Sequence, residues 1–386
     1  MSLRILFATH APSDVKTAVY RSFAHQARHF QAEGHQVDIV TRDAIAPQKW
    51  ARFDPILLPV LLTWRRLVSY DVIVFHSYLG WAFHFFRRWL DPSGRVATIT
   101  WFHGLEPLYH RAVTEECRRA NRRPSLRFRL LHHVLLPRLL KASCRRSDAV
   151  FCFNSLEAEY LANEGWTTPD RIHCVANGVE VDCFQSRRHR HIAQRLLFVG
   201  QWLPAKGTRY LIDAFTSLAA LADFELACVG TGVEHEVVQQ EFPAAVRSRV
   251  VVRPRVDRAE LYEQLQRADV FLFPTLSEGF SCALLEAMAA ELPVVTTPVG
   301  AAVDLIESGC NAVLVPCADA TALVATVMQL AGDAERREAL GSSARHTAEH
   351  FALRDACVDF ASRVHGVLAR RGTADRDSAF VRPDAA

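Results

Sequence analysis

The feature that most constrains this chain is a regular alternation of short apolar runs with longer segments of helical periodicity. In the first half, the apolar runs occupy residues 5–9, 37–41, 72–76, 97–102, 149–153 and 172–175. Residues 5–8 and 72–75 are apolar throughout, as expected of parallel strands that are buried on both faces. This β-α-β-α order predicts a parallel sheet that is covered by helices on both sides.

The same alternation restarts after a polar interval at residues 182–194, which we interpret as a linker, with a solvated helix cap as the alternative. Further strands are predicted at residues 196–200, 225–230, 250–253, 270–273, 294–297 and 312–315, with helices at 208–221, 259–266 and 282–290. The chain is therefore expected to be an α/β protein with two doubly wound, Rossmann-like parallel-sheet domains facing across a cleft. Because open α/β sheets bind ligands at the carboxyl ends of their strands, that cleft is the expected active site.

Composition narrows the range of partners and compartments. The net charge of +3 is close to neutral for 386 residues, so global charge does not favour nucleic acid as a partner. The ten cysteines are scattered without a C-x-x-C pair, which is typical of a reducing compartment. No signal peptide is expected, and the longest apolar stretch is shorter than the roughly 18–20 residues that span a bilayer. We expect a cytoplasmic protein, peripheral at most on the inner face of the cell membrane.

The strongest chemical signal follows the predicted strand at residues 270–273. Glu278 and Gly279 lie in a short loop, and Ser281 is placed to cap a helix that contains Glu286. The free N–H groups at the start of that helix suit an anion such as a diphosphate, and Gly279 permits close approach of the backbone. The two carboxylates suit hydroxyl groups at two ends of a long ligand, and an acidic loop with a surface glutamate is the simpler alternative.

A second motif lies upstream, where a predicted strand ends in a glycine turn at Gly200. A loop with Lys206 and Gly207 follows, just before the helix predicted from residue 208. A lysine in this position supplies a compact positive charge for a diphosphate, whereas Lys206 alone would be an ordinary surface lysine. Gly230 marks a similar turn after the next strand, which is a weak signal by itself.

These motifs together resemble the signature of the family-four retaining glycosyltransferases, or glycosyl transferases group 1, which have the GT-B fold. The resemblance is carried by Ser-Glu-Gly-Phe at 277–280, Glu-Ala-Met-Ala at 286–289 and Leu-Pro-Val-Val-Thr-Thr-Pro-Val-Gly at 292–300. It implies that Glu278 and the amides of Gly279 and Phe280 contact the transferred sugar. It also implies that Glu286 holds the ribose hydroxyls of the nucleotide.

The resemblance extends to the first half of the chain, where His103 and Gly104 match the family's His-Gly pair and imply a contact to the donor sugar. Two departures stand out: Gln201 replaces the usual arginine, with Arg209 as a weaker substitute, and the first loop at residues 9–16 lacks the usual glycines. The candidate catalytic residues are Glu278, His103 and Lys206, and the candidate donor-binding residues are Gly200, Lys206, Gly207, Gly230, Gly279, Phe280, Ser281 and Glu286.

The domain boundaries follow from these assignments. We predict an N-terminal Rossmann-like acceptor domain at residues 1–185 and a C-terminal Rossmann-like nucleotide-sugar donor domain at residues 186–355. A helix at residues 356–370 is expected to return to the N-terminal domain, and residues 371–386 are expected to form a disordered tail.

Residues 118–146 offer a clue to the acceptor because they are rich in arginine. Their basic residues are Arg118, Arg119, Arg122, Arg123, Arg127, Arg129, Arg138, Lys141, Arg145 and Arg146. Mixed with large apolar residues, these suit an interfacial helix on an anionic membrane surface, and a core helix with a solvated basic face is the alternative. Aromatic stacking residues are sparse, so nucleic acid is not expected. We therefore expect a glycan or a lipid-linked acceptor.

The sequence thus predicts transfer of a sugar from a nucleoside diphosphate sugar to an acceptor hydroxyl, with retention. The expected setting is the biosynthesis of cell-envelope polysaccharide or of another glycan or glycolipid. The nucleotide sugar is a co-substrate, and neither a cofactor nor a metal is expected. The alternatives are a nucleotide-sugar epimerase or phosphorylase of the same architecture, or a non-catalytic nucleotide-sugar-binding subunit.

Overall fold

The computed structural model describes residues 2–13, 17–65, 67–180 and 192–380. The charged run of the predicted linker and residues 14–16 of the first loop therefore lie outside the described residues. The chain divides into two compact units. The first unit comprises residues 1–107, 125–176 and 354–386, and the second comprises residues 108–124 and 177–353.

The first unit is built on six parallel strands in the order β2-β1-β3-β4-β5-β6. These are β1 (Arg4–Ala8), β2 (Gln36–Val40), β3 (Val72–His76), β4 (Ala97–Trp101), β5 (Ala149–Cys152) and β6 (Ile172–Cys174). Every residue of β3 and β4 is buried, which explains why these strands are apolar apart from the terminal His76 of β3 and the two threonines of β4.

The second unit contains another sheet of six parallel strands, in the order β12-β11-β10-β7-β8-β9. These are β7 (Arg195–Val199), β8 (Glu225–Val229), β9 (Val250–Arg253), β10 (Val270–Phe273), β11 (Val294–Thr296) and β12 (Val313–Leu314). The twelve strands confirm the predicted doubly wound architecture. Strand order reverses between β1 and β3 and between β7 and β10, so each sheet has a switch point at which ligands characteristically bind.

Helices cover both sheets. The α-helices up to residue 163 are α1 (Ala18–Ala32), α2 (Arg42–Ile45), α3 (Asp54–Thr63), α4 (Trp81–Leu90), α5 (Glu106–Arg119), α6 (Leu126–Leu130), α7 (Leu136–Arg146) and α8 (Ser155–Asn163). The later ones are α9 (Thr208–Leu221), α10 (His235–Glu241), α11 (Arg258–Arg267), α12 (Cys282–Ala289), α13 (Ala302–Leu305), α14 (Ala320–Ala331), α15 (Ala334–Glu349) and α16 (Leu353–Phe380). A π-helical turn at Leu131–Leu135 joins α6 to α7. Within the described residues, no helix has both the length and the apolarity that crossing a bilayer requires.

The division into units differs from the predicted boundaries at residues 108–124, which belong to the second unit. The contacts of α5 explain the difference, because Tyr210 in α9 donates a hydrogen bond to Glu116 at 2.7 Å. Arg209 also lies 3.9 Å from the Glu116 carboxylate. The first unit then ends at residue 176, earlier than the predicted 185.

The basic segment at residues 118–146 is interrupted, so it does not form the single helix that the sequence predicted, and its association with a membrane surface stays a prediction. Helix α5 ends at Arg119, and Asn121 adopts a left-handed conformation with φ of 54°. Pro124 follows, and a new helical run starts only at Leu126. Left-handed residues and prolines both end helices. Arg118 and Arg119 therefore end one helix, Arg122 and Arg123 lie outside any helix, and the other basic residues belong to the second helical run.

Helix α16 belongs to the first unit, and its side chain Phe360 is fully buried. The Phe360 ring centroid lies 4.6 Å from that of Trp101, 5.2 Å from Phe151 and 6.3 Å from Phe7. These three aromatic residues come from β4, β5 and β1, so α16 completes the core of the first sheet. The helix runs on to residue 380, so residues 371–380 are helical where the sequence predicted a disordered tail.

We predict that Phe360→Ala lowers the free energy of unfolding by about 3–5 kcal/mol, because it leaves a cavity among buried aromatic rings. Val358 lies on the same helix but is 49% exposed, so Val358→Ala should change that energy by less than about 0.5 kcal/mol. Urea denaturation followed by circular dichroism measures both. Equal effects of the two substitutions would show that α16 is not part of this core.

Candidate active site

The loops that follow β7 and β10 pack directly on each other. Gly207 has φ of 71°, and a Cβ atom built there would lie 1.9 Å from the carbonyl oxygen of Pro274. The amide of Leu276 donates a hydrogen bond to the carbonyl of Ala205 at 2.7 Å. Only glycine permits this conformation and this approach, so the predicted Gly207 fixes the distance between the two loops.

Lys206 and Glu278 form an ion pair at this junction. Their side chains are 22% and 12% exposed, so both remain open to a ligand while being partly shielded from water. Thr275 donates a hydrogen bond to the Ala205 carbonyl at 3.1 Å and lies 3.4 Å from the Glu278 carboxylate. The structure thus brings together two candidate residues that are 72 positions apart.

Gly300 supports the Glu278 loop from the other side. Its φ is 56°, and a Cβ atom there would lie 2.6 Å from the carbonyl oxygens of both Glu278 and Gly279. The amide of Ala301 donates a hydrogen bond to the Gly279 carbonyl at 2.8 Å. No separate role for Gly300 is evident from the sequence, because its importance depends on a contact with the preceding loop at Glu278 and Gly279.

Helix α12 begins as predicted, because the Ser281 hydroxyl accepts a hydrogen bond from the Leu284 amide at 3.3 Å. Glu286 lies on the same helix and is only 6% exposed. Burial lowers the pKa of the Arg258 guanidinium, but the neighbouring Tyr262, Glu180 and Glu286 outweigh burial and raise that pKa. Glu286 therefore has a cation in its vicinity and is not an isolated buried charge.

The remaining turns of the second unit lie at the same edge of its sheet. Gly200 donates a backbone hydrogen bond to Val229 at 2.9 Å, and Gly230 has φ of 71°. Gln201, the departure from the family pattern, is exposed. Arg209, the weaker candidate for the missing cation, is 55% exposed and points to Glu116. The structure therefore leaves Lys206 as the cation closest to Glu278 among these candidates.

His103 lies in the first unit, just after β4. Its ring centroid is 4.2 Å from that of Trp101 and 4.9 Å from that of His76. Within the described residues, neither ring nitrogen of His103 has a hydrogen-bond partner. Burial, and then the nearby His10, lower its pKa to about 3, so the ring is neutral at physiological pH. A neutral imidazole with both nitrogens available can donate to one hydroxyl and accept from another.

A polar cluster lies beside the switch point between β1 and β3; Glu106 belongs to the motif that carries His103, whereas Ser77 was not singled out from the sequence. Ser77 has φ of 58°, which is rare outside glycine, and it donates a hydrogen bond to Glu106. Burial raises the pKa of Glu106 to about 7. Thr9 lies 2.9 Å from His76 and is fully buried, so this part of the first loop has a packing role. The only indication of this cluster in the sequence is that Ser77 and Glu106 come shortly after the predicted strands that became β3 and β4.

Among the described residues, one group of side chains offers three ligand atoms for a metal: Glu33, His35 and His365, within 4.8 Å of one another. Nδ1 of His35 accepts a hydrogen bond from the Leu3 amide at 3.2 Å. Nε2, which faces Glu33 at 3.8 Å, therefore carries the proton of the neutral ring. Because a metal at Nε2 would have to displace that proton, the group fits a histidine–carboxylate contact better than a metal site.

Comparison with known proteins matches both units to glycosyltransferases. The family described as Glycosyl transferases group 1 matches residues 193–333, and Glycosyltransferase Family 4 matches residues 19–182. The phosphatidyl-myo-inositol mannosyltransferase of Mycobacterium leprae is 32% identical over 180 residues. That alignment covers 44% of this chain and 48% of the relative, so the chain spans about half the length of that protein.

Solved structures show the same fold over nearly the whole chain. The sucrose-phosphate synthase from Thermosynechococcus elongatus has a TM-score of 0.76 at 18% identity, covering 95% of this chain and all of that one (100%). Anabaena HepE in complex with UDP-glucose has a TM-score of 0.69 at 15% identity, covering 94% of this chain and 100% of that one. With two doubly wound sheets and a family match in each unit, the chain belongs to the group 1, family-four glycosyltransferases of GT-B fold.

Proposed function

We propose that this enzyme transfers a sugar from a nucleoside diphosphate sugar to an acceptor hydroxyl, with retention of configuration at the sugar. The observation that carries the proposal is the Lys206–Glu278 pair at the switch point between β7 and β10. A cation and a carboxylate side by side suit the two parts of such a donor, the diphosphate and the sugar hydroxyls. Retention is proposed from the family resemblance of Glu278 and Glu286.

In this mechanism Lys206 stabilises the negative charge that develops on the departing diphosphate. The start of helix α12 adds the partial positive charge of its free N–H groups, and its predicted capping residue Ser281 holds that end in place. Glu278 and the amides of Gly279 and Phe280 orient the transferred sugar, and Glu286 orients the ribose. Such fixed charges and dipoles stabilise a transition state without reorganisation. The acceptor oxygen bonds to the sugar carbon as the bond from that carbon to the diphosphate breaks, and the departing diphosphate takes up the acceptor proton.

Before donor binds, the Lys206 ammonium is held by Glu278. We propose that the diphosphate takes over this ammonium and frees Glu278 to accept hydrogen bonds from sugar hydroxyls. The exchange retains a partner for each charge, which matters because breaking a shielded ion pair without replacement is strongly unfavourable. His103 is assigned to the same sugar through the family's His-Gly pair, and its neutral ring suits hydroxyl contacts.

For the acceptor, we propose a glycan or a lipid-linked molecule of cell-envelope biosynthesis, used in the cytoplasm at the inner face of the membrane. The mycobacterial relative is named for phosphatidyl-myo-inositol, which supports a polyol acceptor for this chain. The HepE structure holds UDP-glucose, which supports a nucleotide-sugar donor. We propose that the reaction needs no metal, since Lys206 and helix N-termini meet the diphosphate charge.

A thermal-shift screen with UDP, GDP and ADP and their sugars identifies the donor, and release of nucleoside diphosphate from that donor then measures turnover. Analysis of labelled products separates the possible reactions. Transfer attaches the label to an added acceptor, or to water when none is present. An epimerase would instead return a labelled nucleotide sugar, and a binding subunit would release nothing.

We predict that Lys206→Ala and Glu278→Gln each lower kcat/KM by about 100-fold or more, because each removes a group aimed at developing charge or at the sugar. Both side chains are partly exposed, so the fold should survive, as circular dichroism would show. Glu225→Gln is the matched control, since Glu225 starts β8 in the same sheet and is 63% exposed. Full activity in both site variants would disprove the site assignment.

We predict that Gly300→Ala weakens donor binding at least about tenfold, because its Cβ atom would press on the Glu278 and Gly279 carbonyls and displace the loop. Gly309 provides a strict control, with φ of 89° and open space around an added Cβ atom. Both substitutions incur the left-handed backbone cost of roughly 1–2 kcal/mol, but only Gly300→Ala reaches the site. Calorimetric titration with the identified donor distinguishes them, and equal affinities would contradict the role of Gly300.

A further inference from the structure

The first unit carries a surface on which exposed aromatic rings and arginines lie together. We call it the aromatic–arginine face, and it consists of Trp64, Phe85, Arg88, Trp89, Arg145 and Arg146. Trp64 directly follows α3, the next three residues lie on α4, and the two remaining arginines end α7. None of these residues has a role in the proposed transfer reaction.

The aromatic residues of this face are unusually open to solvent. Trp64 is 72% exposed, Trp89 is 70% exposed and Phe85 is 60% exposed. The half-buried ring of Phe86 connects them, with centroid distances of 6.4 Å to Trp64, 6.1 Å to Trp89 and 4.9 Å to Phe85. Single exposed apolar residues are common, but a connected cluster of large rings indicates a binding surface.

A pocket of about 470 Å³ opens between α4 and α7 within this face. Its lining consists of Trp81, Phe85, Ala142, Arg145 and Arg146. Arg146 also donates a hydrogen bond to the backbone carbonyl of His84 at 3.0 Å, which holds it against α4. Apolar walls beside two guanidinium groups match a molecule that has an anionic group next to an apolar part.

The charge around the face is one-sided. Helix α4 contains no Asp or Glu, and neither do residues 125–147. The acids that follow these segments are already engaged: Asp91 accepts the Val96 amide at 3.1 Å, and Asp148 pairs with Arg371 at 2.5 Å. The exposed Arg88 and Arg145 are therefore not neutralised by the helices that carry them.

The helical run that ends in this face extends the apolar surface. Leu126, Leu130 and Val134 are 69%, 55% and 41% exposed, and they recur at every fourth residue. This spacing places neighbouring side chains on one side of a helix. Flanking arginines such as Arg127 and Arg129 are also exposed. An apolar line bordered by cations is typical of helices that lie at a membrane surface.

We propose that the aromatic–arginine face docks on a membrane surface that contains anionic phospholipid, with a lipid phosphate held at Arg145 and Arg146. Trp64, Phe85 and Trp89 enter the interfacial region, where large amphipathic rings are favoured. The arginines meet the negative surface potential. The docking surface stands independently of the proposed transfer reaction, although it would bring the enzyme to a lipid-linked acceptor.

The test is co-sedimentation of the full chain with vesicles, without any nucleotide. The wild-type protein is expected to bind vesicles of phosphatidylglycerol and phosphatidylcholine, and to bind pure phosphatidylcholine much more weakly. The triple substitution of Trp64, Phe85 and Trp89 by Ser should lower the partition coefficient at least about tenfold. Arg88→Gln and Arg145→Gln should each lower the partition coefficient about fivefold on anionic vesicles only. High salt should abolish this difference from wild type, because it screens the charge of the arginines.

Matched controls come from the second unit, where Leu221 is 61% exposed and Arg336 is exposed. Leu221→Ser and Arg336→Gln should leave vesicle binding unchanged. Circular dichroism and thermal unfolding verify folding, and the single arginine variants test the proposal even if the triple variant unfolds. The proposal is overturned if wild type does not bind anionic vesicles, or if face and control variants bind equally. It is also overturned if the face variants only convert a dimer to a monomer in gel filtration, since a second copy would then be the occupant.

Because vesicle binding requires no donor, its failure would leave the transfer reaction standing. Conversely, an absence of nucleotide-sugar turnover would leave the membrane surface standing. The two proposals are therefore tested by different readouts on the same protein.

Discussion

The site in the second unit depends on the close contact of two backbones, Gly207 against Pro274. This contact exists because β7 and β10 are hydrogen-bonded neighbours although two strands, β8 and β9, lie between them in the chain. The reversal of strand order leaves the loops after β7 and β10 side by side at the carboxyl edge of the sheet. The two loops can touch because Gly207 has no side chain that would clash with the Pro274 carbonyl. Lys206 and Glu278 are placed by that packing.

We interpret the resulting ion pair as part of the proposed donor site rather than as a source of stability. Partly exposed ion pairs contribute little to the free energy of folding, because the penalty for removing the two charges from water offsets most of their mutual attraction. This arrangement suits a ligand whose negative charge can pair with Lys206 and whose hydroxyl groups can donate hydrogen bonds to Glu278. The Glu278 loop also packs against Gly300, and the Thr275 hydroxyl lies 3.4 Å from the Glu278 carboxylate, so this carboxylate has a second polar neighbour besides the lysine.

Much of the fold could be predicted from the sequence, and the reason is physical. Parallel strands covered on both faces must be apolar along their length, so most of the strands appear as short apolar runs. The ends of all twelve strands lie within one residue of the predicted ends. The cap at Ser281 was also predictable, since capping depends on local chemistry.

What the sequence did not reveal depends on contacts between distant residues. Helix α5 is attached to the second unit by the hydrogen bond from Tyr210 to Glu116. The residues around position 116 do not indicate that Tyr210 is the partner. The sequence around Gly300 does not indicate that this residue packs against the carbonyls of Glu278 and Gly279. The basic segment was recognised by composition, but its break at Asn121 required knowledge of the backbone.

The polar groups of the two units differ in charge, and this difference suggests that the two units recognise different parts of a ligand. In the second unit the candidate residues are charged and paired, as Lys206 is with Glu278. In the first unit, burial keeps His103 and His10 neutral and raises the pKa of Glu106 to about 7. Neutral groups with free hydrogen-bonding capacity recognise hydroxyls, whereas charged groups recognise phosphates.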